Sequence, residues 1–544
     1  MLTRRDLLKA ASATLLWPRP GHPQPARETL YNGIALPSPW PPRRHTWDQS
    51  PQQPPYLIAP PAVINIDIGR QLFVDDFLIE ESGLHRAFHA ASYHPANPVL
   101  RPERDYETRD PYERVAGHPS PSAMPFSDGV FFDPADDFYK MWYMAGYQQY
   151  TALAVSRDGI TWTRPSLPIV PGTNIVLNRG RDSSTVWLDH QAAPRERFKM
   201  AAYDLEAKAL RLYVSGDGVR WTEIGRSGPC GDRSTFFRNP FRATWTFSLR
   251  ADVPGSLTRY RRYIESRGFA ASQWKDDGPV VWAGADTADM VRDDLRATPQ
   301  LYNLDAVAYE SVMLGLFTIY RGEQPDREKP NDICVAFSRD GFHWSREPRG
   351  PFIGVSERRG DWNWGNVQSA GGCCVVAGDS LYFYVSGRKG IPGTQLPGEC
   401  STGLATLRRD GFASLSDQFP PAAARPVGPA RGSLVTRVMR SSGSHLFINA
   451  NVRGSIKVEV LDRAGRAIAP FTIDQCASVT GDGTRLPVRW NAGSLAGLAG
   501  TEFRLRFVLD RAQLFSFWVS PSPNGESRGH LAGGGRGYAR GIDG

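Results

Sequence analysis

Ser156-Arg157-Asp158-Gly159-Ile160-Thr161-Trp162 is a phrase that the chain repeats. It returns as Ser215-Gly216-Asp217-Gly218-Val219-Arg220-Trp221 and again as Ser338-Arg339-Asp340-Gly341-Phe342-His343-Trp344. An alternating apolar run precedes each copy and a Trp closes it, which predicts strand, tight turn, strand. The Asp can accept hydrogen bonds from amides of the turn, and the Gly supplies the positive φ that a hairpin needs. The Trp is then a large apolar plug for packing one sheet against the next.

The copies start 59 and then 123 residues apart, so the second interval is close to twice the first. Worn copies complete the series. Asp276-Asp277-Gly278, with Trp282 behind it, lies near the midpoint, and Arg409-Asp410-Gly411-Phe412 follows the third clear copy by about one period. Five copies predict five four-stranded units, for which a five-bladed β-propeller is the economical closed arrangement.

At 544 residues the chain exceeds one ordinary domain. Five blades account for roughly 350 residues and leave a lead and a C-terminal portion. The 41% hydrophobic content permits a sizeable core, and the 11% aromatic content suits an all-β protein with a carbohydrate-facing surface. A net charge of +8 raises nucleic acid as a partner, but the 64 basic residues are scattered among 56 acidic ones. No Lys/Arg run stands in the body of the chain, which argues against nucleic acid. The six cysteines show neither CxxC nor Cys/His metal spacing, so buried thiols are expected, with room for one long-range bridge and with no metal and no cofactor. Oligomeric state has no signal.

Taken in order, residues 1–30 are expected to be an export signal. Arg4-Arg5 precedes an apolar run, Ala10 to Trp17, that is too short for a permanent membrane span. The pair resembles a twin-arginine translocation signal, with Leu7 where Phe is usual, and implies a periplasmic or extracellular protein. Residues 31–63 are a Pro-rich lead, expected to be extended and poorly packed. The propeller is expected over 64–418, with Gln71–Glu80 as a strand placed to complete the last blade and lock the ring. Within it Asp75 and Asp76 face opposite sides. Residues 419–431, with Pro420, Pro421, Pro426 and Pro429, form a linker. Short alternating strands over 432–520 predict a C-terminal β-sandwich, and the Gly/Arg-rich 521–544 is expected to be disordered.

The chemistry of a propeller belongs at the entry ends of its innermost strands, where polar residues recur. Arg181-Asp182 precedes blade two, Asp232-Arg233 precedes blade three, and blade four opens with Tyr302-Asn303-Leu304-Asp305 and continues through Glu310 to Phe317. Glu310 interrupts an apolar series, and burial there would raise its pKa as a general acid requires. Arg181 and Arg233 would keep Asp182 or Asp232 ionised as base or nucleophile, with Asp305 as modulator. Two carboxyls in opposed environments are the minimum for glycosidic cleavage. Trp362, Trp364, Asn366, Gln368 and Arg388 of blade five, with His118 before blade one, are the expected stacking and hydroxyl-binding groups.

The Gln71–Glu80 segment, the Ser-x-Asp-Gly-x-x-Trp turns and the trailing sandwich resemble the five-bladed propeller glycosidases of families 32 and 43. More closely, they resemble exported bacterial family 32-like proteins. The resemblance covers residues 64–519 in layout and implies a glycoside hydrolase acting on a poly- or oligosaccharide. The alternative is a non-catalytic carbohydrate-binding propeller. The family 32 motif Trp-Met-Asn-Asp-Pro-Asn-Gly is absent, and Glu310-Ser311 does not reproduce the Glu-Cys signature.

Overall fold

The computed structural model describes residues 27–544 apart from 45, 110–119, 257, 323, 419–431 and 492. The twin-arginine segment up to residue 26, the Pro-rich linker and His118 lie outside the described residues. Five antiparallel sheets follow one another along the chain. Blade one is Ala123–Asp133, Phe138–Ala145, Tyr150–Ser156 and Ile175–Leu177, and blade two is Ser184–Leu188, Phe198–Asp204, Ala209–Ser215 and Thr222–Pro229. Blade three is Thr235–Asn239, Thr244–Asp252, Arg259–Ser266 and Val280–Gly284. Blade four is built on Gln300–Glu310, Val312–Tyr320 and Asn331–Ser338, and blade five on Asn366–Ser369, Ser380–Arg388 and Cys400–Arg408. The first strands of neighbouring blades touch around the ring. The repeat thus counts the blades correctly.

Each clear copy of the phrase turns the chain from the third strand of its blade toward the fourth. In the first, Asp158 Oδ1 accepts the amides of Ile160 and Thr161 at 2.8 and 2.7 Å, while Ser156 Oγ accepts that of Gly159 at 2.8 Å. The same bonds recur around Asp217 and Asp340. Gly159, Gly218 and Gly341 hold φ of 76°, 75° and 82°, the region where a side chain would be strained. Burial opposes the charge on Asp158, but these donors outweigh it and hold the carboxyl down at about 2. The Trp residues do pack blade on blade. Trp162 meets Tyr384 of blade five edge-on at 5.6 Å, and Trp344 meets Trp282 of blade three at 6.1 Å.

The strand that closes the ring is not Gln71–Glu80. Ser92–Tyr93 pairs with Cys400–Arg408 as the outer strand of blade five, and a parallel bridge Ser122↔Cys400 joins that blade to blade one. Gln71–Leu72 instead pairs with Glu502–Ser520, and Ile79–Ser82 with Ser433–Thr436. The second module is therefore not a separate 432–520 unit. Its ten-stranded sheet takes Ile64–Asn65, Gln71–Leu72, Ile79–Ser82 and His85–Phe88 from before the propeller and Ala413–Ser416 from its end. Phe73, Phe77 and Leu78 of the expected closing strand fill the second module's own core. Asp75 and Asp76 do face apart. Asp75 is 1% exposed and holds Arg339 at 2.8 Å, whereas Asp76 is 73% exposed and holds Arg86.

The lead is extended but not loose. Tyr31 stacks on Phe241 and Trp47 on Tyr260, both of blade three, and Trp40 packs on Phe342 of blade four. The C-terminal tail is ordered rather than disordered. His530–Leu531 pairs with Tyr309–Glu310 at the inner edge of blade four. The amide of Gly533 donates to Cys374, and its carbonyl accepts from Phe132. The tail thus ties blades one, four and five together at the exit end of the innermost strands. No disulfide links the six cysteines, and among the described residues no helix is long and apolar enough to cross a membrane.

Candidate active site

The opposite, entry end of the ring is knit by polar side chains from all five blades. In blade one, Met124 pairs with Met144 and Gly129 with Trp142, so Pro125 to Asp128 bulge out of the ladder toward the axis. Phe126 and Ser127 take φ of 35° and 67° within this bulge, and the amide of Phe126 is held by Ser386 Oγ of blade five at 2.8 Å. The bulge delivers Asp128. Its carboxylate accepts two bonds from Arg181 Nη1 of blade two, at 2.8 and 2.7 Å, and one from Ser184.

Arg233 reaches across from blade three. Its guanidinium donates to the Phe126 carbonyl at 3.3 Å and to Ser127 Oγ at 3.2 Å, and stacks 4.0 Å over the Phe126 ring. Ser127 Oγ donates in turn to Asp305 of blade four. Asp305 also accepts from Asn303 at 2.7 Å and from Ser369 of blade five at 2.6 Å. Burial pushes the Asp305 carboxyl up against the pull of Ser369, Arg233, Asn303 and Ser127. Asp128 is fully enclosed, and burial outweighs Arg181 and Arg233 to raise its pKa to about 7.

Asp182 and Asp232 stand together toward the opening. Asp182 is 8% exposed, accepts Gln148 Nε2 at 2.9 Å and forms no ion pair among the described residues. Its pKa is raised, first by burial and then by the charge of Asp232. Asp232 is more open, with 35% of its side chain exposed, and pairs with Arg250. Arg388 pairs with Glu328 beside them.

Glu310 is not in this group. It ends the strand that carries Asp305 at its middle, and five residue steps along the strand separate the two by about 17 Å. Glu310 Oε1 accepts from Arg409 at 3.0 Å, and Oε2 from Ser527 of the tail at 2.7 Å and from the Arg70 amide at 3.1 Å. Its pKa is raised by burial, as the sequence implied, but the group lies in the junction between propeller, second module and tail. Trp362 is also placed elsewhere. It lies against Gly387 and Gly403 and meets Tyr93 edge-on, as a wedge rather than a platform. Trp364 is buried against Gly390, with Arg327 over its ring at 5.3 Å. Asn366 donates to the Lys329 carbonyl, and Gln368 to Asn366, both at the start of blade five's inner strand.

The entry end therefore gathers Asp182, Asp232, Asp305, Arg181, Arg233 and Arg388 and leaves out Glu310, Trp362 and Trp364. Sequence reasoning missed Asp128. Its signal was Pro125 and Gly129 bracketing a polar Ser-Asp within an otherwise apolar run, which reads as the approach to a strand rather than a bulge inside one. No group of three His, Cys, Asp or Glu residues among the described residues is placed to hold a metal ion.

No protein-family model and no curated protein sequence matches the chain. Solved structures with a similar chain path include an N-acetylgalactosamine deacetylase from F. plautii in complex with blood group B trisaccharide. It is 12% identical, with 61% of this chain and 97% of that one covered and a TM-score of 0.41. A β-1,2-mannobiose phosphorylase from Listeria innocua is 12% identical over 59% and 98% of the two chains, with a TM-score of 0.40. A thermostable family-43 glycoside hydrolase is 11% identical over 56% and 96%, with a TM-score of 0.37. Such likenesses leave the chemistry of this chain to be argued from its own residues.

Proposed function

We propose that this protein is a glycoside hydrolase whose general acid is Asp182 and whose second carboxyl, the base or nucleophile, is Asp232. The observation that carries this reading is the unequal pair itself. Asp182 is buried without an ion pair and faces a second carboxylate whose charge favours its protonated form; Asp232 lies in the open beside Arg250. A carboxyl whose surroundings favour its proton, beside a second carboxyl held by an arginine, is the kind of unequal pair that protonation of a leaving oxygen and stabilisation or attack at the sugar carbon require. Asp128 and Asp305, beneath them, position Arg181 and Arg233 rather than touch substrate. Export by the twin-arginine route belongs to the same proposal, and a reporter fused to residues 1–30 should cease to be exported when Arg4 and Arg5 are replaced by Lys.

The test is release of reducing sugar from a panel of oligosaccharides by wild type, Asp182→Asn and Asp232→Asn. Each substitution should lower kcat by about 10²–10⁴-fold with the circular dichroism spectrum unchanged. Retention of the wild-type rate by either variant would remove that residue from the mechanism. The binding-module reading is favoured by one feature, the commitment of Asp128 to Arg181 and Ser184. It prevails if wild type cleaves nothing while a saccharide still raises its melting temperature.

A further inference from the structure

Most deeply buried arginines in this protein have a carboxylate partner. Arg70 pairs with Asp410, Arg339 with Asp75, Arg346 with Asp289 and Arg409 with Glu310. Two at the entry funnel do not. Arg233 is 3% exposed and Arg261 0%, and among the described residues no carboxylate lies within 4.0 Å of either. Arg233 has only the Phe126 carbonyl and Ser127 Oγ as acceptors, while Arg261 has the carbonyls of Arg233 and Tyr302. The Nε atoms of both are buried and unpartnered, as are Arg181 Nη2 and the Nε atoms of Arg250 and Arg388. Five arginines at one place thus keep a spare donor. A buried cation without a counter-ion is costly, because the interior neither solvates nor neutralises it.

We propose that the funnel binds an oxyanion, held by Arg233 with Arg261 behind it, and that the anion is a carboxylate or sulfate carried on the sugar. This rests on the reading of the funnel as a saccharide site. The face of the Arg233 guanidinium is covered by the Phe126 ring, so its edges are what remains for an acceptor. Those edges form the planar fork that matches a carboxylate or sulfate. The residue is pre-set for this work. Its backbone takes φ of 56°, in the left-handed region, and its amide is fixed by Ser183 Oγ at 2.9 Å, which aims the side chain from blade three toward blade one. Asp182 reinforces the surplus, since each molecule in which it keeps its proton has one negative charge fewer facing Arg181, Arg233 and Arg388.

The experiment is calorimetric titration of wild type with D-galacturonate, D-glucuronate, D-galactose and inorganic phosphate, repeated at two salt concentrations. The uronates should bind at least tenfold tighter than galactose, and more weakly at high salt. Arg233→Met should erase that preference, so that the uronates bind no tighter than galactose does to the same variant. Phosphate binding that depends on Arg233, without a preference among sugars, would overturn the sugar-borne source and assign the oxyanion to a free ion. Equal binding of uronate and galactose, with no phosphate binding, would overturn the oxyanion site. Should Arg233→Met not fold, the wild-type comparison and Arg233→Lys, which keeps charge but loses the fork, decide the question. The two proposals fail separately. Neutral glycans cleaved without any uronate preference would sink only this one, and uronates bound without cleavage of any glycan would sink only the hydrolase.

Discussion

Trp142 donates its indole N–H to the carbonyl oxygen of Gly218, 2.9 Å away, so blade one grips the repeated turn of blade two. Trp282 of blade three holds the Phe342 carbonyl in the turn of blade four at 2.8 Å, and Tyr384 of blade five holds the Gly159 carbonyl in the turn of blade one at 2.6 Å. The phrase that marks each blade is therefore also a contact between blades. A Cβ on Gly218 would lie 2.6 Å from Trp142 Cζ2, whereas one on Gly172, at a similar φ of 80°, would meet nothing within 4 Å. Gly218→Ala and Gly172→Ala should share a backbone cost of about 1 kcal/mol. Gly218→Ala should lose about 1–3 kcal/mol more through overpacking, read from urea midpoints. Equal losses would mean that the turn does not pack against the neighbouring blade.

Glu310 supports a second prediction, opposite to the one its sequence context invites. It shares a fully buried network with Arg70, Arg409, Asp410 and Asp543. Removing this side chain leaves Arg409, Ser527 and the Arg70 amide without their acceptor, and breaking a buried pair costs about 3–5 kcal/mol in such settings. Glu310→Ala should unfold at markedly lower denaturant and keep the wild-type kcat where it remains folded. Loss of kcat with unchanged stability would return Glu310 to the catalytic group.

These residues show which parts of the molecule can be read from its sequence. The turn is legible because its chemistry is local: Ser156, Asp158 and Gly159 satisfy one another within a few residues, so the repeat declares itself and its period counts the blades. The entry-end residues Asp182 and Asp232 follow from strand starts, which the same period locates, whereas Asp305 lies five residues into its strand. Glu310 misled because period-two alternation tells which side of a strand a residue faces but not which end of the ring it occupies. Ser92–Tyr93 is too short to carry any pattern, so the longer Gln71–Glu80 run drew the role of closing strand. The tail misled for a related reason. Gly533 and Gly535 contribute no core-forming side chain, yet only a bare backbone can pass so close to Val130 and Val376.

The tail makes a third prediction. Leu531 is fully buried, and Ala532 donates its amide to the Ala308 carbonyl. Leu531→Asp would place an unpaired charge there and should release the segment from blade four. Limited proteolysis should then cut within 521–544 while the blades stay intact, whereas wild type resists at the same protease concentration. Unchanged resistance would show that the segment is held by its other contacts alone.

Asp128 makes the fourth. Its pKa rises from 3.8 in an open chain to about 7 in the fold, so between those values the folded protein holds a proton that the unfolded chain has released. Stability must then fall as pH rises through that window, by at most about 1.4 kcal/mol per unit for this one group. Its contribution is fully present below about pH 4 and lost above about pH 7. Asp128→Asn cannot titrate and keeps an acceptor for Arg181 and Ser184. Its stability relative to wild type should therefore improve between pH 5 and pH 8 by up to about 3 kcal/mol, measured by urea unfolding at each pH. Parallel profiles would mean that Asp128 is already ionised in the folded protein at pH 5, with Arg181 as its full counter-ion.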